Sequence, residues 1–287
     1  MSEPDNSNMP PLAYLNAEFL KSQDARIIRI LAEYIETSAR LRRYRVRDTI
    51  VFFGSARSVS PEDALARLKA VKETVEKNKG SAADFELELS RAEHAVKLAR
   101  YYKDAVELAR RLTEWSKALT GDRHFIICSG GGGGMMEAAN RGASIARGKT
   151  IGFNIELPFE QDVNPYVSRA MSFNFHYFFI RKFWFVYLAK ALVVFPGGFG
   201  TMDELFELLT LIQTKKPRKP MPVVLFGTEF WDEIIDFDAF VRWGVISPED
   251  LDIFHKTDSI DEAYEYLTAR LEGLYMSRKG LEQMKLT

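Results

Sequence analysis

Residues 191–204 read ALVVFPGGFGTMDE, in which an apolar run ending at Phe195 leads through a glycine turn into a helical pattern that continues to Ile212. A strand, a turn and a helix in this order are typical of a parallel sheet covered by helices. Glycines let a backbone approach a ligand closely, and the first turn of a helix offers unpaired N–H groups to an anion. Because Glu204 is predicted to lie in that same turn, we expect a site that holds a phosphorylated ligand and acts on it.

Thr201 and Glu204 also have the spacing of a capping box, in which two side chains satisfy backbone N–H groups at a helix start. The proline and glycines of residues 196–200 favour a ligand site, because a simple cap needs none of them. The sequence alone leaves both interpretations open.

Two more apolar runs end in glycines. Residues 125–128 lead into the run Gly130–Gly134, and residues 49–53 lead into Gly54-Ser55-Ala56-Arg57. Glycines cost conformational entropy on folding, so a run of them indicates a bare backbone surface, although a flexible connector is the simpler alternative. Arg57 could equally face solvent. If the sheet is parallel, all three turns lie at the carboxyl ends of strands, where open α/β sheets bind ligands.

The composition limits the possible functions. The chain has 287 residues, of which 46% are hydrophobic, and its net charge is −1. This content supports a sizeable core, and the balanced charge gives no general attraction to nucleic acid. The single cysteine, Cys128, cannot form an internal disulfide, which fits a reducing, cytoplasmic location. At the end of an apolar strand, it is expected to be a buried hydrophobe rather than a nucleophile.

Neither a membrane span nor a metal site is expected. Residues 1–11 lack the apolar segment of a secretion signal, and charges interrupt the aromatic cluster at residues 173–188. The four histidines and one cysteine show no spacing typical of metal ligands.

Strand and helix patterns alternate along the chain. They predict helices near residues 24–41, 135–147, 176–189, 200–212, 230–243 and 260–275, strands at 49–53, 125–128, 150–155, 191–195 and 223–226, and extended segments at 167–173 and 251–255. Residues 61–119 carry two charged helical stripes, broken at Gly80-Ser81.

These patterns predict an α/β fold, a Rossmann-like doubly wound parallel sheet with helices on both faces. A helical insertion is expected at about residues 61–97. Residues 1–22 are predicted to be a flexible tail, and residues 23–287 a single domain.

The glycine turns match neither common nucleotide-binding motif. The dinucleotide fingerprint requires a third glycine, but Asp203 and Met135 stand at that position in the two turns. No Gly-Lys-Ser/Thr follows either turn, which also argues against a P-loop. A dinucleotide and a nucleoside triphosphate are therefore disfavoured, and a smaller ligand such as a nucleoside 5′-monophosphate stays open.

The pattern Pro196-Gly197-Gly198-x-Gly200-Thr201-x-x-Glu204 resembles the signature of the Lonely Guy family. Arg181-Lys182 precedes it at the distance usual in that family. Residues 130–143 match the family's other glycine loop, and Phe53-Gly54-Ser55 matches its first strand end. The resemblance covers roughly residues 49–275, apart from much of the helical insertion.

The resemblance implies a Rossmann-like fold and a homodimer or larger assembly, and nothing in the chain suggests a cofactor. The implied activity is hydrolysis of a nucleoside 5′-monophosphate to a free base and ribose 5-phosphate, by which plant members release active cytokinins. Arg181 and Glu204 stand at the positions of the family's catalytic pair. The residues expected to bind the substrate or its phosphate are Gly54, Ser55, Gly131, Gly132, Gly133, Lys182, Gly197, Gly198, Gly200 and Thr201.

The chemistry suits these residues. Cleavage of an N-glycosidic bond builds positive charge on the ribose, and a carboxylate at Glu204 can stabilise that charge or activate the water. Arg181 is expected to orient the substrate or Glu204, while N–H groups of the glycine loops hold the 5′-phosphate. Asp203 points about 100° away from Glu204 on a helix, so we expect it to act only on the helix dipole.

Two other functions stay open. The same fold occurs in molybdenum cofactor carriers, which hold a phosphorylated pterin without transforming it, and the glycine loops alone would suffice for that role. The third hypothesis is a regulatory nucleotide sensor whose helical insertion docks a partner.

Overall fold

The computed structural model describes residues 10–77, 82–120, 124–158, 162–216 and 220–276. Seven strands in these ranges form one sheet, and every neighbouring pair is parallel. The strands are β1 (Asp48–Phe53), β2 (Phe125–Ser129), β3 (Thr150–Ile155), β4 (Ser172–Phe175), β5 (Ala189–Val194), β6 (Val223–Phe226) and β7 (Phe254–Thr257). Their order across the sheet is β4-β3-β2-β1-β5-β6-β7.

The described ranges contain ten α-helices. They are α1 (Ala17–Lys21), α2 (Arg26–Arg43), α3 (Pro61–Lys77), α4 (Ala82–Ala118), α5 (Met135–Ile145), α6 (Phe178–Leu188), α7 (Phe199–Gln213), α8 (Thr228–Ile234), α9 (Phe237–Arg242) and α10 (Ile260–Tyr275). Helices α2, α6, α7, α8 and α9 contribute to the core on one face of the sheet, and α4, α5 and α10 to the core on the other. Every residue of β1 and β5 is buried, as expected for strands covered on both faces. The predicted Rossmann-like fold with a parallel sheet is confirmed.

The order of strands reverses at β1. The connection that follows β1 leads to β2 on one side, whereas β5 pairs with the opposite side of β1. Open α/β sheets bind ligands at such a switch point, outside the carboxyl ends of the strands. The crevice above β1 and β5 is therefore the expected place for a ligand.

Helix α4 reaches past the carboxyl edge of the sheet. With α3 it connects the carboxyl end of β1 to the amino end of β2, so its own amino end lies on the carboxyl side. Its 37 residues span about 55 Å, whereas the six residues of β1 span about 20 Å. The core on this face includes α4 residues from Tyr101 to Leu112, and Tyr101 lies against Gly227, which follows β6. The part of α4 before Tyr101 packs with α3 and overhangs the crevice.

Two predicted extended segments are partly wrong. The structure starts β4 only at Ser172, not at residue 167, and starts β7 only at Phe254, not at residue 251. A 3₁₀ turn occupies the residues just before each strand. Short 3₁₀ turns of this kind are not distinguishable from strand starts by apolar pattern alone.

The predicted helix at residues 230–243 is also wrong in detail, because the structure has two helices there. The side chain of Asp236 accepts a hydrogen bond from the N–H of Ala239 and starts α9 as a new helix. The predicted break at Gly80-Ser81 lies outside the described residues, but α3 and α4 form on either side of it.

The N-terminal segment packs on α2. Within the predicted tail, residues 13–21 form a 3₁₀ turn and α1, and Arg29 of α2 donates to the carbonyls of Leu20 and Ser22. Helix α2 forms as predicted, yet its apolar stripe is largely uncovered. More than a third of each of these side chains is exposed: Ile27, Ile28, Leu31, Tyr34 and Ile35. None of the helices in the described ranges is both long and apolar enough to cross a membrane.

Candidate active site

Three loops at the carboxyl edge of the sheet are joined backbone to backbone. They are the β1 loop (Gly54–Arg57), the β2 loop (Gly130–Gly134) and the β5 loop (Pro196–Gly198). The N–H of Ser55 donates to the carbonyl of Pro196 at 2.9 Å, and the carbonyl of Ser55 accepts from the N–H of Met135 at 2.9 Å. The structure thus brings together the three glycine turns that the sequence singles out.

Two positions in this junction have room only for glycine. A Cβ atom on Gly54 would lie 2.6 Å from Cγ of Met135. Gly134 has a φ of 69°, and a Cβ atom there would lie 2.5 Å from the carbonyl oxygen of Ser55. A side chain at either position would push the loops apart. The close backbone approach therefore explains these glycines before any ligand is considered.

A cavity of about 810 Å³ opens above this junction. The β1 loop, the β5 loop and the start of α7 form its base, with Phe178 and Arg181 of α6 on one side. Leu98 of α4 and the α8 residues Phe230 and Ile234 line it as well. The volume falls within the range of about 300–1,000 Å³ that is typical of small-molecule sites.

Eight of the twelve predicted site residues line this cavity. They are Arg181, Glu204, Gly54, Ser55, Gly197, Gly198, Gly200 and Thr201. The structure does not place Gly131, Gly132, Gly133 or Lys182 in the lining. The predicted catalytic pair thus shares one cavity with the β1 and β5 loops, and the β2 loop contributes Gly130 to the same lining.

Asn164 holds the β2 loop from behind. Its Nδ2 lies 3.1 Å from the carbonyl oxygen of Gly131, 2.9 Å from that of Gly132 and 2.9 Å from Oδ1 of Asn140. Asn140 donates in turn to the hydroxyl of Thr150 at 2.7 Å. These groups are buried, so the network fixes the loop. The sequence analysis missed Asn164, because no periodic pattern marks its loop.

Helix α7 begins without a side-chain cap. Its N-cap residue is Gly198, and no side chain accepts a hydrogen bond at this end of the helix. Gly198 and Gly200 have open space where a Cβ atom would lie. Uncapped N–H groups and the helix dipole attract an anion to such a position.

The capping-box interpretation of Thr201 and Glu204 is wrong. Thr201 is the third residue of α7 rather than its cap, and Glu204 is the sixth. Glu204 therefore lies in the second helical turn, not in the first as the sequence suggested. Its side chain is free of a capping role and faces the cavity.

Glu204 is a buried carboxyl group with an unused oxygen. The residue is only 8% exposed, and its Oε2 has no hydrogen-bond partner within the described part of the chain. Burial raises its pKa to about 7, against the opposing charges of Lys182 and Arg181. Near neutral pH the group is close to half protonated, which suits it to proton transfer.

Arg181 is held beside Glu204 by the sheet. Its Nε donates to the carbonyl of Phe153 in β3 at 2.8 Å, and its guanidinium lies 5.2 Å from the centre of the Phe185 ring. Burial lowers the pKa of Arg181, while the charge of Glu204 raises it. A guanidinium stays protonated in proteins, so the site combines a fixed cation with a carboxyl group that can titrate.

Lys182 pairs with acids on the outer side of α7. Its Nζ lies 2.8 Å from Oδ2 of Asp203 and 2.8 Å from Oε2 of Glu207. Partial burial disfavours its charge, but the two acids outweigh that effect and raise its pKa to about 12. Lys182 therefore acts on Glu204 through its charge, and Asp203 has an ion-pair partner in addition to the helix dipole.

Cys128 is fully buried, and burial raises the pKa of its thiol, which makes it a poor nucleophile. Across the described ranges, no group of three or more His, Cys, Asp or Glu side chains could hold a metal ion.

Comparison with known proteins finds sequences similar to the segment that contains this site. The model of the family described as possible lysine decarboxylase matches residues 136–267. A probable cytokinin riboside 5′-monophosphate phosphoribohydrolase of rice (Oryza sativa subsp. japonica) is 28% identical over 155 residues, which are 53% of this chain and 58% of the rice protein. The predicted resemblance to the Lonely Guy family is confirmed. Both residues of the pair that the Lonely Guy resemblance implies lie inside the matched segment.

Solved structures with similar folds include two that bind molybdenum cofactor. The molybdenum cofactor carrier protein of Chlamydomonas reinhardtii has a TM-score of 0.43 at 16% identity, covering 78% of this chain and 99% of the carrier. The molybdenum cofactor binding protein of Rippkaea orientalis has the same TM-score and identity, covering 78% of this chain and 97% of its own.

Proposed function

We propose that this protein hydrolyses the N-glycosidic bond of a nucleoside 5′-monophosphate, giving a free base and ribose 5-phosphate. The observation that carries the proposal is Glu204, a buried carboxyl group with one unpartnered oxygen and a pKa of about 7. It lies in the same cavity as an uncapped helix start, as an enzyme acting on a phosphorylated sugar requires.

The start of α7 would hold the 5′-phosphate. Gly198 and Gly200 leave its backbone open to a ligand, and Ser55 offers a hydroxyl in the same cavity. Binding at a helix start uses N–H groups that would otherwise need water. The phosphate would thus anchor the ribose above the β1 and β5 loops.

Glu204 would act at the ribose. As the bond to the base breaks, positive charge develops on the sugar, and a nearby carboxylate stabilises it and accepts a proton from the attacking water. Overall, the hydroxyl of water goes to C1 of the ribose and one proton goes to the leaving base. Arg181, fixed by the carbonyl of Phe153, would orient the substrate, and its charge favours the ionised form of Glu204.

A panel of nucleoside 5′-monophosphates tests the reaction. We expect the wild-type protein to release free base and ribose 5-phosphate in equal amounts from at least one of them. Release of nucleoside and inorganic phosphate would contradict the proposal. Absence of any release, with a phosphorylated pterin retained by the purified protein, would favour the alternative of a binding protein.

We also propose that the protein is a homodimer. The exposed apolar stripe of α2 is continuous with α6, because the ring of Tyr34 lies 5.5 Å from that of Phe183. Phe179 and Tyr187 of α6 are more than half exposed. Monomeric proteins rarely expose contiguous apolar surfaces of this extent, and a second copy of the chain would cover this one.

A further inference from the structure

The cavity contains an apolar region on the side formed by α4 and α8. Leu98 of α4 and Phe230 and Ile234 of α8 form it, and we call these three side chains the distal wall. Ile234 is 54% exposed although it lines a cavity, and the other two are partly exposed. Apolar side chains left uncovered around a pocket indicate that a ligand covers them.

The position of the distal wall follows from the order of the strands. Arg181 lies by β2 and β3, because it binds the carbonyl of Phe153 and its Nη2 would lie 3.2 Å from a Cβ atom on Gly130. The uncapped start of α7 follows β5, and α8 follows β6. Neighbouring strands are about 4.8 Å apart, so β2 and β6 are about 14 Å apart across β1 and β5.

The uncapped start of α7, where the phosphate is proposed to bind, therefore lies between Arg181 and the distal wall. A ribose that extends from the start of α7 toward Arg181 and Glu204 leaves the distal wall on the opposite side of the phosphate. In that pose, a group joined to the phosphate on that side would contact the wall.

Ion pairs link α4 to α8 beside the distal wall. Nζ of Lys97 lies 2.5 Å from Oε1 of Glu229, and Nη2 of Arg100 lies 3.4 Å from Oε2 of the same carboxylate. These three residues flank Leu98 and Phe230 in the sequence, so they tie α4 to α8 beside the wall. About half of each of these side chains is exposed, so the pairs orient α4 relative to α8 but add little stability.

Ion pairs also engage several cations near the uncapped start of α7, and this affects which phosphate charges the start of α7 can hold. The ammonium group of Lys182 is engaged by Asp203 and Glu207, and Lys97 and Arg100 are engaged by Glu229. A phosphate monoester carries about −1.5 to −2 charges near pH 7, whereas a diester carries one. With these three cations engaged, Arg57 and Arg181 are the cations that line the cavity beside the helix start, and both charge states of a phosphate ester can be held there.

We propose that the distal wall binds an apolar or aromatic group esterified to the phosphate, so that the ligands of this site include nucleoside 5′-phosphodiesters. The nucleoside half of this inference rests on the proposed function. The contact between the distal wall and the esterifying group does not.

Binding of matched esters tests the inference. Dissociation constants of adenosine 5′-monophosphate, its methyl ester and its phenyl ester are measured by calorimetry on the Glu204→Gln variant, which should not turn them over. We expect the phenyl ester to bind at least about fivefold more tightly than the methyl ester, since a buried ring gains more hydrophobic contact. Equal affinity for the two esters would overturn the inference, and absence of binding by all three ligands would overturn it together with the proposed function.

Substitutions in the distal wall test whether the phenyl group binds there. Ile234→Ala in the same background is expected to reduce the phenyl preference at least twofold. Ile145→Ala is the matched control, because Ile145 is 53% exposed but ends α5 far from the cavity, and it should keep the preference. An unchanged preference in Ile234→Ala and in Phe230→Ala would overturn the inference.

Base release by the wild-type protein separates the two proposals. If it releases base from a monophosphate but shows no phenyl preference, only the distal wall is misassigned. If it releases no base but shows a preference that Ile234→Ala reduces, the wall is correct and the hydrolase proposal fails.

Discussion

At the scale of single residues, the site depends on how burial and the neighbouring charges are balanced at Glu204. Burial alone would favour the neutral carboxyl group, while Lys182 and Arg181 favour the carboxylate. Their balance leaves a pKa of about 7, so the group can change its protonation state near neutral pH. Enzymes that use a carboxylate in proton transfer commonly have such a raised value.

The first prediction concerns this balance. If Glu204 acts as a carboxylate, kcat/KM should rise with pH around a midpoint of about 7. Lys182→Met removes an attractive charge and leaves Asp203 and Glu207 unpaired, so the midpoint should move to higher pH by about one unit. The pH profile of kcat/KM measures this shift. Lys103→Met, at an exposed position of α4, should leave the profile unchanged, and an unchanged midpoint in Lys182→Met would contradict the assignment.

A second prediction concerns stability. The pKa of Glu204 in the folded protein lies above its ordinary value of 4.5, so the folded state retains a proton that the unfolded chain loses between about pH 4.5 and 7. The free energy of unfolding should therefore fall as pH rises through this window. Glu204→Gln removes the ionisable group, and with it the fall in stability as pH rises. The substitution should raise the free energy of unfolding at pH 8 by about 1–2 kcal/mol, with a smaller gain at pH 4. Urea denaturation at both pH values is the measurement, and a variant less stable than wild type at pH 8 would contradict the burial argument.

At the scale of elements, each glycine loop has a different task. The β1 and β5 loops line the cavity, whereas the carbonyls of Gly131 and Gly132 in the β2 loop bind Asn164. The β2 loop supports the other two through the hydrogen bond between Met135 and Ser55. Gly131 and Gly132 therefore serve the packing of backbones, whereas Gly130 also lines the cavity.

The third prediction tests that support. Asn164→Asp keeps the shape of the side chain but removes the donors that satisfy buried carbonyls. We expect it to lower the free energy of unfolding by roughly 1–3 kcal/mol and to raise KM for the nucleotide. Thermal unfolding and steady-state kinetics measure the two effects. Asn174→Asp, at an exposed position of β4, should change stability by less than about 0.5 kcal/mol. Similar stability losses in both variants would argue against a special role for Asn164.

At the scale of the whole molecule, the features that could be predicted from the sequence are those that depend on residues adjacent in the chain. The apolar run, glycine turn and helix at residues 191–213 lie side by side in the chain, so both the parallel sheet and the ligand edge could be inferred. The pKa of Glu204 depends on the charges of Arg181 and Lys182 in α6, and Asn164 binds a loop some thirty residues away in the chain. Neither could be predicted from local sequence patterns. The turn before β7 was missed because its hydrogen bond from Ser247 to Asp250 overrides the apolar pattern.

A fourth prediction concerns assembly. If α2 and α6 form the interface of a homodimer, Leu31→Glu combined with Tyr187→Glu should place charges in it and give a monomer. Light scattering coupled to size-exclusion chromatography measures the mass. Val245→Glu, at a residue that is 66% exposed beyond α9, should leave the assembly unchanged. A monomeric wild-type protein, or a dimer that survives both substitutions, would rule out this interface.

The central claim is that the buried carboxyl group of Glu204 performs the hydrolysis. Its most direct test is the kcat for base release by Glu204→Gln and by Asp203→Asn, which change neighbouring acids on α7 in the same way. Both residues line the cavity, but Glu204 is 8% exposed, whereas 62% of the Asp203 side chain is exposed. We expect Glu204→Gln to lose at least about a hundredfold and Asp203→Asn less than about tenfold. Retention of wild-type kcat by Glu204→Gln, or equal losses in the two variants, would contradict the claim.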